Sequence, residues 1–375
     1  MRSDTTAFEA RVEVPGGCGY PVRVGRGVLR DLPALLREHA PAHRYALVAD
    51  ARVLAHHGDH ITGILTAAGV ELTVHTFPPG EENKNREQWA RLTDEMLAAG
   101  IGRDGCVVAL GGGVAGDLAG FVAATFMRGI PVVQLPTSLV AMVDSSVGGK
   151  TGVDVPSGKN LVGAFHPPRF VLADTELSAT LPRSERSQGL AEAVKHGAIL
   201  DASYLRAIVD GAEVLLGGDP AATASMVARS VELKSGVVSR DEREGGLRQI
   251  LNFGHTLGHA FEAASDFQLP HGSSVAIGMV LEARLGVRLG VTGPEVPEAL
   301  EVALRAVGLP VRPDASFDPD TLLDLVSRDK KVRRGVSRYV LLRVLGEVDP
   351  GEGWSHAVPP EVVREVLIES IPGSV

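Results

Sequence analysis

The chain has 375 residues, enough for about two domains at the usual ~150 residues each. Its 37 basic and 46 acidic residues give a net charge of −9 and are mixed along the chain, which argues against a nucleic-acid-binding protein. A hydrophobic fraction of 44% excludes a disordered chain. The sequence has no run of 18 uncharged apolar residues, so we expect no membrane span.

The two cysteines, Cys18 and Cys106, are too few for a disulfide framework, and neither lies in a CxxC motif. The first ten residues contain no apolar segment of the kind found in signal peptides. We therefore expect a cytoplasmic protein.

Strand and helix patterns alternate in the first half of the chain. Apolar runs typical of buried strands occupy residues 44–50, 71–77, 106–110 and 131–135. Apolar side chains at helical spacing lie between them, such as Leu32 with Leu36 and Leu92 with Met96. This alternation predicts a parallel, doubly wound sheet that binds its ligand at the carboxyl ends of the strands.

Helical patterns dominate the second half, at residues 184–200, 220–239, 253–265, 273–290, 297–307 and 320–328. The change near residues 180–182 predicts an α/β domain over residues 1–181 and a mostly helical domain over residues 182–375. The tail after residue 350 is expected to form a peripheral cap.

Residues 111–117, GGGVAGD, follow a predicted strand, open a predicted helix and satisfy GxGxxG. Backbone N–H groups at a helix start favour a pyrophosphate, and glycine lets the phosphate approach closely. The acidic residue expected about 20 positions later is absent, so a tight strand–helix turn remains an alternative. Asp50, at the end of an earlier strand, is a weaker candidate for binding an adenosine ribose.

A second glycine-rich segment covers residues 144–160 and contains Lys150, Lys159 and Asn160. Its GGKT sequence is not a Walker A loop, because Asp144 occupies the position where that loop requires glycine. A solvated loop is one interpretation, but glycine beside two lysines favours a phosphate-lined site.

Three histidines lie within 17 residues of one another. His255 and His259 are spaced i, i+4 and share a helix face. Arg248 and Asn252 each lie seven residues before one of them and are predicted to lie on the same face. The candidate ligands of a metal with an open coordination position are Glu192, His255, His259 and His271. Local spacing alone favours His255 and His259 as the ligand pair, and ordinary hydrogen-bonded core histidines are the alternative.

The remaining basic candidates are scattered along the sequence. They are Arg128, Lys234, Lys330 and Lys331. Such residues are most often on the surface of an acidic protein. If they converge, the ligand is a multiply charged anion.

The motifs taken together resemble the 3-dehydroquinate synthase family, within the sugar phosphate cyclase superfamily. The resemblance covers residues 12–348. It rests on PGEENK (79–84), LGGGVAGDLAGF (110–121), MRGI (127–130), DSSVGGKTG (144–152), GKNLVGAF (158–165), GLAEAVKHG (189–197), LNFGHTLGHAFE (251–262), HG (271–272) and DKK (329–331). It implies a Rossmann-like NAD-binding α/β domain followed by a mostly α-helical metal-binding domain.

The resemblance also implies roles for individual residues. Zinc or cobalt would be bound by Glu192, His255 and His271, so that His259 would contact phosphate instead. The NAD site would comprise Glu81, Lys84, Gly112, Gly113, Val114, Asp117, Thr137, Ser138, Lys150, Lys159, Leu177 and Thr180. Asp50 is a further candidate only from its position at the end of a strand. Phosphate would be bound by Lys150, Asn160, Asn252, His259 and Lys330 or Lys331. The carboxylate would be bound by Lys234 and Arg248, and the ring hydroxyls by Asp144 and Lys195. Arg128 would reach the neighbouring subunit's site, which implies a homodimer.

The implied reaction converts 3-deoxy-D-arabino-heptulosonate 7-phosphate to 3-dehydroquinate and phosphate in the shikimate pathway. It proceeds by transient oxidation with NAD, phosphate elimination, re-reduction and an intramolecular aldol closure. The chain departs from the common family pattern at Ser138, where many members have threonine, at Asp154, where asparagine is common, and at His166–Pro167. These departures lie near the cofactor loop.

Several alternative functions share parts of this pattern. A related cyclase would act on sedoheptulose 7-phosphate or glucose 6-phosphate, which lack a carboxylate, and an amino-analogue cyclase would keep the same pocket. A metal-dependent polyol dehydrogenase would release its reduced nicotinamide and need fewer anion-binding residues. A non-catalytic sugar-phosphate sensor would leave the metal and nicotinamide residues without a use.

Overall fold

The computed structural model describes residues 7–14, 19–327 and 337–373. Contacts divide them into two compact units. The first runs to Pro182 and adds Gly218–Ser239, and the second contains Arg183–Gly217 and the chain from Arg240 onward. The helix predicted over residues 220–239 therefore packs with the first unit, although the sequence pattern assigned it to the second domain. The division at residue 181 stays a prediction.

A seven-stranded sheet forms the centre of the first unit. The strands of this unit are β1 (Phe8–Val12), β2 (Tyr20–Gly25), β3 (Tyr45–Asp50), β4 (Leu72–Phe77), β5 (Cys106–Gly111), β6 (Val132–Pro136), β7 (Lys150–Val155), β8 (Gly158–Phe165) and β9 (Val171–Asp174). The sheet order is β1-β2-β9-β6-β5-β3-β4, and every neighbouring pair except β1 with β2 is parallel. Strands β7 and β8 form a separate antiparallel hairpin. The four predicted strands correspond to β3–β6.

The helices are α1 (Leu32–His39), α2 (Ala51–Ala67), α3 (Arg86–Ala98), α4 (Gly113–Thr125), α5 (Arg183–Leu200), α6 (Ala202–Asp210), α7 (Ala212–Gly217), α8 (Pro220–Arg240), α9 (His255–Ala264), α10 (His271–Arg288), α11 (Val296–Ala306), α12 (Pro319–Ser327) and α13 (Pro360–Ser370). Among the described segments, none of these helices is both long and apolar enough to cross a membrane. The first unit contains α1–α4 and α8, and the remaining helices form most of the second.

Helices α9 and α10 of the second unit pack with their backbones unusually close. A Cβ atom added to Gly278 would lie 1.9 Å from the carbonyl oxygen of Gly254, so glycine is required at the crossing. The same unit contains four short strands, β10 (Arg338–Tyr339), β11 (Leu342–Val344), β12 (Glu347–Val348) and β13 (His356–Ala357). The unit is mostly helical, as predicted.

The expectation that the tail after residue 350 forms a peripheral cap is wrong. Helix α13 places Val363, Val366 and Leu367 in the hydrophobic core of the second unit, with Phe261 and Tyr339. Their i, i+3, i+4 spacing makes one apolar face, which explains why the helix packs inward.

We expect Leu367→Ala to destabilise the second unit by about 2–5 kcal/mol, because Leu367 is fully buried and its removal leaves a cavity. Urea unfolding followed by circular dichroism measures the effect. Glu361→Ala, at an exposed position of the same helix, is the control and should change stability by less than about 0.5 kcal/mol. Equal stabilities of the two variants would show that α13 does not contribute to the core.

Candidate functional site

Three helices of the second unit bring a carboxylate and two imidazoles together. Glu192 lies on α5, His255 begins α9 and His271 begins α10. The Oε1 atom of Glu192 is 3.1 Å from Nε2 of His271 and 3.4 Å from Nε2 of His255. One ligand atom from each residue lies within 4.8 Å of the others. Glutamate oxygen and histidine nitrogen are ligands that suit zinc and related divalent metals.

The Nδ1 atoms of both imidazoles, which are not directed at Glu192, have partners that orient the rings. Nδ1 of His255 is 3.1 Å from the carbonyl oxygen of Phe253, and Nδ1 of His271 is 3.5 Å from Oε1 of Glu262. Both Nε2 atoms therefore face Glu192. Partners of this kind hold metal-binding histidines in place in known sites. Glu262 is the last residue of the LNFGHTLGHAFE motif, but neither the motif nor the helix pattern indicated its contact with His271.

The charges of this cluster favour an additional positive charge. Burial would raise the pKa of the Glu192 carboxyl, but the ammonium group of Lys195 and the nearby His255 hold it well below its ordinary value. Burial would lower the pKa of His271, but hydrogen bonds to and charges of Glu192 and Glu262 raise it to about 10. A divalent cation would supply the positive charge that these carboxylates favour.

His259 lies beside the cluster. Its ring centroid is 5.4 Å from that of His255, in an edge-on arrangement, and 6.5 Å from that of His271. Spacing along one helix favoured His255 with His259 as a ligand pair, whereas the ligand atoms that meet here are those of His255 and His271 with Glu192.

The segment before α9 is not a continuation of that helix, so the expectation that Arg248 and Asn252 lie on the same helix face as the histidines is wrong. Residues Leu247–Asn252 form a 3-10 helix, and Gly254 then adopts a left-handed conformation with φ of 78°. A Cβ atom at Gly254 would lie 2.5 Å from Cγ of Met279 on α10. The chain therefore turns at Gly254, and the seven-residue spacing does not align Arg248 with His255.

Arg248 and Asn252 contact a preceding loop. Arg248 is only 3% exposed, and its guanidinium group donates to the carbonyl oxygen of Glu242. The side-chain amide of Asn252 donates to the carboxylate of Glu244. The Asp241 carboxylate accepts hydrogen bonds from the N–H groups of Gly245 and Gly246 at 2.9 and 2.7 Å, and from that of Arg248 at 2.9 Å. Asp241 thus organises the loop that leads to Arg248, a role that the sequence did not reveal.

In the first unit, the glycine-rich turn lies between β5 and α4. Gly111 has φ of 150°, and Gly112 precedes the first residue of α4. Cβ atoms added to Gly112 and Gly113 would lie 3.1 Å from Oγ of Ser138 and 3.2 Å from Oγ of Ser145. The turn therefore places the start of helix α4 beside two serine hydroxyls, an arrangement suited to a phosphate.

The neighbouring strand β6 brings Thr137 and Ser138 to the same turn. Strands β5 and β6 are parallel, and the N–H of Thr137 donates to the carbonyl oxygen of Gly111 at 2.9 Å. The predicted nucleotide residues Gly112, Gly113, Val114, Thr137 and Ser138 thus meet at the carboxyl ends of two adjacent strands, where open α/β sheets bind ligands.

A buried lysine with three carboxylates lies in the same unit. Lys84 is only 4% exposed as a residue. Its ammonium group is 2.5 Å from the carboxylate of Glu81, 3.5 Å from that of Asp117 and 3.7 Å from that of Asp154. Burial opposes the charge of Lys84, but the three carboxylates raise its pKa above the ordinary value. The sequence predicted Glu81, Lys84 and Asp117 as nucleotide-binding residues. It marked Asp154 as a departure from the family pattern without indicating its contact with Lys84.

We expect the carboxyl group of Asp117 to titrate near pH 6 without a nucleotide. Partial burial raises its pKa most, Lys84 opposes this, and the negative charges of Glu81 and Asp154 raise it further. Asp154→Asn should lower this pKa, since it removes one of those charges. Carbon-13 NMR of labelled aspartate, assigned with Asp117→Asn, measures it. Asp59→Asn, at an exposed position on α2, is the control. An unchanged Asp117 pKa in Asp154→Asn would contradict the coupling.

Asp144 and Lys234 also form a close pair in the first unit. The ammonium group of Lys234 is 2.8 Å from Oδ1 of Asp144 and donates to its carbonyl oxygen at 2.6 Å. Lys150 is exposed at the start of β7, while Lys159 and Asn160 lie on β8. Asn160 has φ of 54°, and its N–H donates to Asp154 at 2.8 Å.

The other predicted site residues are distributed as follows. The Asp50 carboxylate caps α2 by accepting from the N–H groups of Arg52 and Val53 at 2.9 Å. Leu177 and Thr180 lie in a 3-10 helix, with Oγ1 of Thr180 3.3 Å from Nε2 of His57. Arg128 is exposed in a turn with φ of 70°. Lys330 and Lys331 lie outside the described residues.

Sequence comparison relates both parts of the chain to one family. Residues 74–188 match the family described as 3-dehydroquinate synthase N-terminal, and residues 189–332 match the one described as 3-dehydroquinate synthase C-terminal. The chain is 48% identical over 350 residues to the 3-dehydroquinate synthase of Symbiobacterium thermophilum, covering 93% of this chain and 96% of that protein.

Two solved structures with a similar fold are sugar phosphate cyclases. One is a 2-deoxy-scyllo-inosose synthase complexed with carbaglucose-6-phosphate, NAD+ and Co2+, with a TM-score of 0.88, 26% identity and coverage of 96% of this chain and 99% of that chain. The other is 2-epi-5-epi-valiolone synthase from Streptomyces hygroscopicus subsp. jinggangensis with NAD+ and Zn2+ bound, with a TM-score of 0.86, 28% identity and coverage of 96% and 99%. Because sequence and fold agree over nearly the whole chain, the protein belongs to the 3-dehydroquinate synthase family.

Proposed function

We propose that this chain is an enzyme that converts 3-deoxy-D-arabino-heptulosonate 7-phosphate to 3-dehydroquinate and phosphate. The observation that carries the proposal is the 48% identity to a 3-dehydroquinate synthase over 93% of the chain. The related cyclases of known structure are less similar, at 26% and 28% identity. The buried guanidinium group of Arg248 adds support, since it suits a substrate carboxylate.

We propose that Glu192, His255 and His271 hold a divalent metal, zinc or cobalt, and that the glycine turn and the Lys84 cluster hold NAD. The donor set and its ligand atoms, all within 4.8 Å of one another, suit such a metal. A Cβ atom at Gly112 would lie 3.1 Å from Oγ of Ser138, so a larger residue in the turn would require Ser138 to shift. When bound, these groups would supply Lewis acidity and reversible hydride transfer.

The residues of the chain then bind and orient the substrate. His259 and Asn252 can donate hydrogen bonds to a phosphate. The planar guanidinium group of Arg248 can donate two parallel hydrogen bonds to the carboxylate. Lys195 lies beside Glu192 with its ammonium group almost fully buried, and we propose that it binds a ring hydroxyl. Fixed donors of this kind lower the barrier by orientation and by stabilising developing charge.

The assignments of the remaining predicted site residues stay predictions, among them the contacts of Asp144, Lys150, Asn160 and Lys234 with substrate. The homodimer is likewise a proposal. It is supported by Arg128, which is exposed in a turn where Met127 and Arg128 both have positive φ, 50° and 70°. Such backbone strain is often found at functional positions. The cytoplasmic location also stays a prediction.

The test is phosphate release by zinc-loaded protein with catalytic NAD. We would offer 3-deoxy-D-arabino-heptulosonate 7-phosphate and sedoheptulose 7-phosphate in parallel, and follow absorbance for NADH. Phosphate from the first substrate alone, without net NADH, is the expected result. Phosphate from the second would make the protein a different cyclase, and net NADH without phosphate would make it a dehydrogenase.

A further inference from the structure

Glu282 is a fully buried carboxylate in the middle of α10, with 0% exposure, and it accepts three described hydrogen bonds from the start of helix α9. Its Oε2 atom accepts from the N–H of Gly254 at 2.8 Å. Its Oε1 atom accepts from the N–H groups of Thr256 at 3.1 Å and Leu257 at 3.4 Å. A single side chain thus binds three backbone N–H donors within four residues at the start of α9.

The first N–H groups of any α-helix have no partner within the helix, and a side chain at the N-cap usually supplies one. Helix α9 cannot use that device, because its N-cap residue is Gly254, which has no side chain and whose conformation and close packing require glycine. Glu282 takes over the capping function from the neighbouring helix. Its negative charge also interacts favourably with the N-terminal end of the helix dipole.

The capped turn contains a predicted metal ligand. His255 is the first residue of α9 and stands between Gly254 and Thr256, two of the three residues whose N–H groups Glu282 binds. The backbone of His255 is therefore held on both sides. From that position its Nε2 atom is 3.4 Å from Glu192. A turn that frayed would carry the imidazole away from Glu192 and His271.

We propose that Glu282 is a positioning residue of the metal site, which fixes His255 through the backbone of α9. This inference rests on the proposed metal-binding role of Glu192, His255 and His271. The described hydrogen bonds of Glu282 run to main-chain N–H groups on both sides of His255, and it is through this backbone that Glu282 would position the ligand.

The experiment measures zinc affinity of the full-length, metal-free protein by competition with a chromophoric chelator. Glu282→Gln keeps the shape of the side chain, but its NH2 group cannot accept from a backbone N–H. We expect zinc to bind about 10- to 100-fold more weakly, the range found when partners of metal ligands are removed. Hydrogen exchange in residues 253–259 should become faster in the same variant.

Glu301→Gln is the matched control. Glu301 on α11 pairs with Arg284 of α10 at 2.7 Å, so the variant removes a carboxylate contact of α10 that does not involve α9. Its zinc affinity should equal that of the wild type. If Glu282→Gln does not fold, Glu282→Asp takes its place, since it retains the charge but is one methylene shorter, and its zinc affinity should also fall.

The outcomes separate this inference from the proposed function. Zinc affinity unchanged in the Glu282 variant would overturn the positioning role, whatever the enzyme's activity. A wild type that binds zinc but releases no phosphate from either sugar phosphate would refute the proposed reaction, while weaker zinc binding by the variant would still support the positioning role. A wild type that binds no zinc would overturn both the metal site and this inference.

Discussion

His271→Ala is expected to lose the bound metal and to lower turnover about 1,000-fold. Nε2 of His271 lies 3.1 Å from Glu192, and the alanine variant would leave the metal two protein ligands instead of three. A Lewis acid contributes several kcal/mol to a reaction of this type, and each ~1.4 kcal/mol corresponds to a factor of ten. The rate should therefore fall by about three orders of magnitude.

Metal content by elemental analysis and phosphate release, measured on the same sample, test this expectation. His356→Ala is the control, since this histidine of the second unit is paired with Asp349 at 3.1 Å and plays no part in the proposed site. It should retain metal and activity. If His271→Ala kept one equivalent of zinc and the wild-type rate, His271 would be removed from the ligand set.

The parallel core of the first unit was predictable because buried strands appear as uninterrupted apolar runs. All six residues of β5, for example, are buried. Strand β1 was not predicted, since its FEARV sequence mixes charged and apolar residues in a pattern of partial exposure. Strand β9 has only four residues, too few for a pattern to be distinctive.

The candidate site depends on contacts between helices, which the sequence pattern does not predict. Spacing identifies neighbours on one helix, such as His255 and His259, but it carries no information on contacts between helices. Glu192 and His271 are 79 positions apart and meet only because α5 and α10 pack together. Family resemblance implied the set of three ligands, whereas local spacing favoured a different pair. The role of Glu282 could not be predicted, because the sequence around a glutamate in an apolar helix does not indicate which backbone N–H groups the carboxylate will bind.

Arg248→Ala is expected to reduce kcat/KM for the carboxylated substrate roughly 30-fold or more. Removing one partner from a buried, hydrogen-bonded charge pair costs about 2–5 kcal/mol, and Arg248 is only 3% exposed. Arg248→Lys should fall between the wild type and the alanine variant, because lysine keeps the charge but cannot form two parallel hydrogen bonds with a carboxylate.

Loss of Arg248 also removes its hydrogen bond to the carbonyl oxygen of Glu242, so a disturbed loop is the competing explanation for a lower rate. Inhibition by sedoheptulose 7-phosphate distinguishes the two, because this ligand has no carboxylate. If Arg248 binds the substrate carboxylate, the alanine variant should retain the wild-type inhibition constant while its KM for the carboxylated substrate rises. If the loop has lost its structure, Asn252, which donates to Glu244 of that loop, is disturbed as well, and both constants should rise together. Parallel increases would therefore assign Arg248 to loop structure rather than to carboxylate recognition.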